Sequence, residues 1–252
     1  MIRRYGGGVA GTLAVLLAWD LIALAGFGRG AIPTPVGVVH RLLDDGWSLY
    51  WPNIKGTGWE ALRGFLWGNL IAIAMAIVVM LVPPLERVIT QVAVASYCLP
   101  IIAVGPILTV VFSGDTPMVT MAALQVVFTT LIGVLAGLRA ADRTSLDLIR
   151  AYGGGRWQQL RRVRVVAALP SSFAALKIAA PAAVLGAIIG EFLGGVKGGG
   201  LGPAMVVAQQ QLNVERTWGI ALVSGALAGL GYGAVALITR LATPWASSGG
   251  TS

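Results

Sequence analysis

The chain has 252 residues, of which 56% are hydrophobic and only 11% charged, and its mean hydropathy is +0.81. Soluble domains carry about 25% charged residues, so this composition excludes an ordinary soluble fold and points to a membrane protein. The net charge of +8 is concentrated mostly in one segment between apolar runs, which argues against a nucleic-acid binder. One cysteine, Cys98, excludes an internal disulfide and reads as a small buried hydrophobe; one histidine, His40, gives no metal cluster.

Six apolar runs are near the roughly 20 residues that cross a bilayer. The first, 9–27, follows Arg3 and Arg4, lacks a convincing cleavage site and is read as a retained span; its one charge is Asp20. A Pro-, Gly- and Trp-rich stretch, 28–58, reads as a polar loop. Spans two to four cover about 62–82, 88–112 and 117–138, linked by the tight connections Pro83–Arg87 and Ser113–Pro117. Span five covers about 171–193 and ends near Glu191. A Gly-rich loop, Gly194–Gly202, and a polar connection lead to span six, about 217–239, with a polar tail from Ala246. The predicted class is all-α: a polytopic membrane protein with about six transmembrane helices in one domain, 1–252. If the 139–170 segment is cytoplasmic, so are both termini. The inner side then carries eleven basic residues (Arg3, Arg4, Arg87, seven in the segment, Arg240) against five outside (Arg29, Arg41, Lys55, Lys197, Arg216), as the positive-inside rule expects.

That segment, RAADRTSLDLIRAYGGGRWQQLRRVRVVAALP, holds Arg139, Arg143, Arg150, Arg156, Arg161, Arg162 and Arg164 against Asp142 and Asp147. Its middle predicts a short helix capped by Thr144 or Ser145, with Asp147 in the first turn and Gly153, Gly154 and Gly155 as the stop. Leu146, Ile149 and Tyr152 recur every three residues and would share a face. A second amphipathic piece runs from about Arg156 to Leu169. Charge alone leaves two readings: a basic loop that fixes topology, or a docking element for a soluble partner.

The pattern of residues resembles the cytoplasmic signature loop of binding-protein-dependent ABC importer permeases. Asp147-Leu148-Ile149 stands where that family has Glu-Ala-Ala, Gly153 falls on its glycine and Val163 on its branched residue; Val165-Val166 replaces its Leu-Pro. Gly155-Arg156-Trp157-Gln158 and Ala168-Leu169-Pro170 resemble the branch that handles nitrate, alkanesulfonates, taurine, phthalate and vitamin precursors. The resemblance, covering about Glu60 to Ile238, implies a type I importer permease of the bacterial inner membrane. Its implied partners are a second permease copy (identical or related), two cytoplasmic ATPases that bind ATP and Mg, and an extracytoplasmic substrate-binding protein. It also implies that Asp147, Leu148, Ile149, Arg150, Ala151, Tyr152, Gly153, Gly154 and Gly155 form the ATPase-docking helix.

Outside the loop, Pro100 and Pro106 interrupt span three. The spacing Pro100, Ala103, Pro106 resembles the family's third-span motif, with Gly114 near its closing glycine; a simple kink is the plainer reading. Glu191 is either an interfacial glutamate that reaches water or a functional acid at membrane depth. With Gly200, Leu201 and Gly202 it resembles the family's outer gate. Asp20 either pairs with a neighbour or faces a wet cleft. No phosphate-binding Gly-x-x-x-x-Gly-Lys-Ser/Thr, Gly-x-Ser-x-Gly, His-Glu-x-x-His or Cys-x-x-Cys motif occurs, so no cofactor and no chemistry are expected of this chain itself. The alternatives are an ion-gradient-driven secondary transporter, against which stands the lack of an obvious internal repeat, and a membrane scaffold.

Overall fold

The computed structural model describes residues 2–26, 30–98, 100–194 and 199–243, all helices and connections. Of the residues singled out above, Arg29, Lys197, the middle of the Gly-rich loop (195–198) and the 246–252 tail lie outside these. Ten α-helices follow in order: α1 Ile2–Leu24, α2 Pro35–Leu81, α3 Glu86–Cys98, α4 Ile101–Val111, α5 Thr116–Arg139, α6 Arg143–Ala151, α7 Arg156–Gln159, α8 Val165–Gly194, α9 Leu201–Gln210 and α10 Val214–Ala242. A 3₁₀ turn, Pro83–Leu85, precedes α3, and a π turn, Leu160–Arg164, fuses α7 to α8.

Among the described residues, four helical segments have the length and hydropathy to cross a membrane: Pro35–Leu81, Thr116–Arg139, Arg156–Gly194 and Val214–Ala242. Spans one and three are represented by the shorter apolar helices Ala10–Leu24 and Ile101–Val111. The expected polar loop 28–58 is corrected: from Pro35 onward it is helix, continuous with span two apart from a kink at Gly46 (φ +66°). Thr34 caps its start, accepting from Gly37 N–H at 3.1 Å. The polar residues of this stretch gave it a loop's composition, but Asp45, Asn53, Thr57 and Glu60 all point inward to partners or neighbouring acids. Span three is not one helix. Pro100 lacks an N–H and disfavours a helical residue before it, so α3 and α4 meet there as separate pieces. Cys98, expected buried, is exposed at the end of α3.

The core is α5 and α8 packed on each other and on α2, with α10 closing the side. Contact is by small residues rather than by bulk. Gly64 and Gly68 of α2 lie on Ala122, Ala123 and Val126 of α5; Gly133 and Gly137 of α5 lie on Ala168, Ser171 and Ala175 of α8; Gly186 and Gly190 of α8 lie on Met118, Met121 and Ala122. Each pair is spaced by four, the Gly-x-x-x-Gly pattern that lets backbones approach closely in lipid, where packing and not water release holds helices together. Asn69 of α2 is buried but satisfied: its Oδ1 accepts from Thr130 Oγ1 at 2.6 Å and its Nδ2 donates to Phe65 O at 2.7 Å. The outer faces stay apolar and exposed, as a lipid-facing surface requires; on α1 these include Leu13, Val15, Leu17 and Leu21.

Candidate functional site

One end of the bundle is basic. There α6 begins with Asp142, whose Oδ2 accepts from Ser145 N–H at 2.8 Å and Ser145 Oγ at 2.9 Å. These bonds, the backbone one foremost, hold its carboxyl below the usual aspartate range. The cap is therefore Asp142, not Thr144 or Ser145. Asp147 correspondingly falls in the second turn, where it pairs with Arg150 at 3.0 Å. The helix stops as expected. Gly153, at φ +76°, donates to Arg150 O at 2.8 Å, and Gly154 donates to Ile149 O at 2.8 Å. This is a Schellman motif, and it demands glycine twice. Gly153 occupies the left-handed region, while a Cβ on Gly154 would meet Ile149 O at 2.7 Å.

The expected shared face of α6 divides. Leu146 is buried against the bundle and Ile149 half-buried, but Tyr152 is the C-cap and 86% exposed. Leu148 and Trp157 are exposed beside it, with Arg150 and Ala151. The rest of the segment is anchored through arginines placed at helix C-termini. Arg164 donates to Leu138 O at 2.9 Å, Arg156 to Leu81 O at 3.2 Å, and Arg139 pairs with Glu86. A short helix thus stands on a base tied by these bonds, one side inward and one side facing outward with apolar and charged groups mixed.

The opposite end holds an acidic and hydroxylic cluster. Glu191, near the end of α8, is 2% exposed, so the interfacial reading that had it reach water is corrected. Its Oε1 accepts from Thr57 Oγ1 at 2.6 Å and its Oε2 from Gly202 N–H at 2.7 Å. Thr57 Oγ1 also accepts from Leu201 N–H at 2.8 Å, and Asn53 Oδ1 from Gly200 N–H at 2.9 Å. Three consecutive backbone N–H groups, the unpaired donors at the start of α9, are thereby satisfied by α2 and α8. The glycines permit this approach: a Cβ on Gly202 would sit 2.6 Å from that of Glu191, and one on Gly56 2.5 Å from Gly199 O. The described end of the predicted Gly-rich loop, Gly200–Gly202, is therefore a docked helix start, while 195–198 lie outside the described residues; the stretch after it, expected to be a polar connection, is α9.

Glu60 lies one turn beyond Thr57, buried and next to Glu191, with Arg63 and Asp115 close by. Arg63 pairs with Asp115 across α2 and α5. Further out, Asp45 receives Arg216 Nε at 2.8 Å and Arg41 at 3.0 Å, tying α2 to α10. Pro100, Ala103 and Pro106 are exposed and stand apart from the Glu191 cluster, while Gly200, Leu201 and Gly202 are buried within it. Asp20 is half-buried on α1, beside Trp19, whose ring lies 5.3 Å from that of Trp218. Asn53, Thr57, Glu60 and Asp45 escaped sequence reasoning. The signal was present: residues 53, 57, 60, 64 and 68 follow a helical period, polar then glycine along one face.

A bundle of apolar helices with small-residue contacts, a basic short-helix loop at one end and a buried acid cluster at the other defines a multi-pass membrane protein of the transport class. Residues 68–246 match the family described as binding-protein-dependent transport system inner membrane component, and the chain belongs to that family. Relatives cover nearly the whole chain. A probable ABC transporter permease protein of Haemophilus influenzae is 28% identical over 83% of this chain and 85% of its own length. The riboflavin transport system permease protein RibX of Chloroflexus aurantiacus is 31% identical over 96% and 91%. The formylaminopyrimidine transport permease protein ThiX of Halalkalibacterium halodurans is 25% identical over 92% and 93%. These are transport proteins and not enzymes, and the family is an integral component of the inner membrane.

Proposed function

We propose that this chain is the permease subunit of an ATP-driven importer for a small solute, coupled to cytoplasmic ATPases through α6. Two copies, or one with a related chain, pair in the membrane. Two ATPase subunits dock beneath and carry ATP and Mg, and an extracytoplasmic binding protein delivers the solute. The chain itself holds no cofactor. The observation that carries this reading is the Schellman-stopped α6, with Leu148, Arg150 and Tyr152 facing out from a base tied to the ends of α2 and α5. Asp147, Ile149, Ala151 and Gly153–Gly155 complete the docking unit. A compact rigid helix transmits displacement, so closure of the ATPase pair would move the ends of α5 and α8 to which α6 is tied.

At the far end, Glu191 with Gly200, Leu201 and Gly202 forms the outer gate, because its bonds join α2, α8 and α9 and must rearrange if those helices part. Pro100 gives the α3–α4 break, and Ala103 and Pro106 follow it along α4, lining the path. The names of the relatives favour a vitamin or vitamin-precursor solute, within a branch that also takes nitrate, sulfonates and taurine.

The test is reconstitution with the partner ATPase and binding protein. We expect loaded binding protein to stimulate ATP hydrolysis and deletion of 146–155 to abolish the stimulation. Gly153→Ile should leave the spans folded and keep hydrolysis while uptake falls at least tenfold. Normal uptake by Gly153→Ile would refute the docking role of α6.

A further inference from the structure

The acid cluster borders a cavity of about 690 Å³, within the usual span of small-molecule pockets, about 300–1,000 Å³. Its walls come from α2, α4, the α4–α5 turn, α5 and the end of α8, and include Glu60, Thr109, Ser113, Asp115 and Gly194. Among the described residues the lining has two acids and no basic side chain.

Glu60 is the unusual member. It is only 9% exposed, and its Oε2 has no hydrogen-bond partner. Buried carboxyl oxygens are normally paired, because leaving one unsatisfied forfeits its hydration for nothing. Glu60 shares a side-chain hydrogen bond with Glu191, and the nearby guanidinium of Arg63 is engaged by Asp115; neither satisfies its Oε2. The terminal torsion of a glutamate is broad, so a small rotation turns the free oxygen toward the cavity.

We propose that Glu60 is a solute-recognition residue, and that this cavity accepts a small molecule through an N–H or ammonium donor in preference to anions that carry none. The inference rests on the transport function proposed above and narrows its substrate class. A carboxyl oxygen left without a partner accepts, so it rewards a donor. Nitrate and alkanesulfonates carry no donor; nitrogen heterocycles with N–H groups do.

The test is ATP-driven uptake by proteoliposomes holding the whole complex of permease, ATPases and binding protein, with riboflavin, formylaminopyrimidine, nitrate and ethanesulfonate as probes. We expect uptake of at least one heterocycle and of neither anion. Glu60→Met, which keeps length but removes the acceptor, should lower that uptake at least tenfold. Glu60→Asp, which restores an acceptor, should recover at least a third of it. Melting of each variant in detergent separates a folding defect from a recognition defect. Uptake of either anion, uptake of neither heterocycle, a Met variant within twofold of the original, or an Asp variant as poor as Met would each overturn the assignment. Absence of binding-protein-stimulated ATP hydrolysis in the unmodified complex would sink the permease reading first, and this inference with it.

Discussion

Glu191 joins three helices with two oxygens, and Thr57 is what makes this possible. Its hydroxyl donates to the carboxylate and accepts from the Leu201 N–H in the same fully buried spot. Thr57→Val keeps the shape and removes both bonds, stranding a carboxylate oxygen and a backbone N–H. Such an orphaned buried group costs about 1–3 kcal/mol, so the melting temperature of the purified chain should fall, and α9 should become the first segment to exchange its amide protons. An unchanged melting temperature and unchanged protection of residues 201–204 would contradict this account. At this scale the sequence was half legible. Glu191 stood out as an acid at membrane depth, but its burial did not, because its partner Thr57 lies 134 residues away on a stretch whose tryptophans, prolines and charges have a loop's composition.

Helices packed in lipid gain little from hydrophobicity, so what holds α2, α5 and α8 together is how closely their backbones fit. Gly137 is the tightest of these points: any Cβ there collides with Ser171 Oγ and comes within 2.9 Å of Ala168 Cα. Gly137→Leu must push α5 from α8, and overpacking of this kind costs about 1–3 kcal/mol or more. Ala174→Leu, on the exposed side of α8, inserts the same side chain into open space. The first variant should lose monodispersity on size exclusion and melt earlier, while the second should match the parent; equal behaviour would show that close approach is not what sets the core. The three Gly-x-x-x-Gly pairs were present in the chain as spacing, though glycine abundance alone could not say which faces met. Elements with local causes were easier to read. The stop of α6 follows from glycines, and the break between α3 and α4 from a proline. The α6 cap was misplaced by two or three residues because Asp142, Thr144 and Ser145 are all competent caps, and only backbone geometry chooses among them.

Across the whole molecule, charge and polarity separate along the helix axes. Arg139, Arg156 and Arg164 close helix C-termini at the α6 end, while Asp45, Glu60, Asp115 and Glu191 gather at the other. Apolar length and arginine placement carried most of the architecture in the sequence, since both are set by the bilayer and not by tertiary contacts. The helical character of 35–58 was hidden because its polar groups are answered by distant partners. The separation also predicts a direction: with the arginines on the inner side, the α6 end should face the cytoplasm. Thiol labelling in intact cells checks this with the one native cysteine removed, Cys98→Ala. Ser113→Cys lies exposed in the α4–α5 turn and Thr144→Cys exposed at the start of α6. A membrane-impermeant maleimide should label the first in whole cells and the second only after permeabilisation. The reverse pattern would place the arginine-rich loop outside, where no ATP-hydrolysing partner could reach it, and would remove the physical basis for coupling through α6.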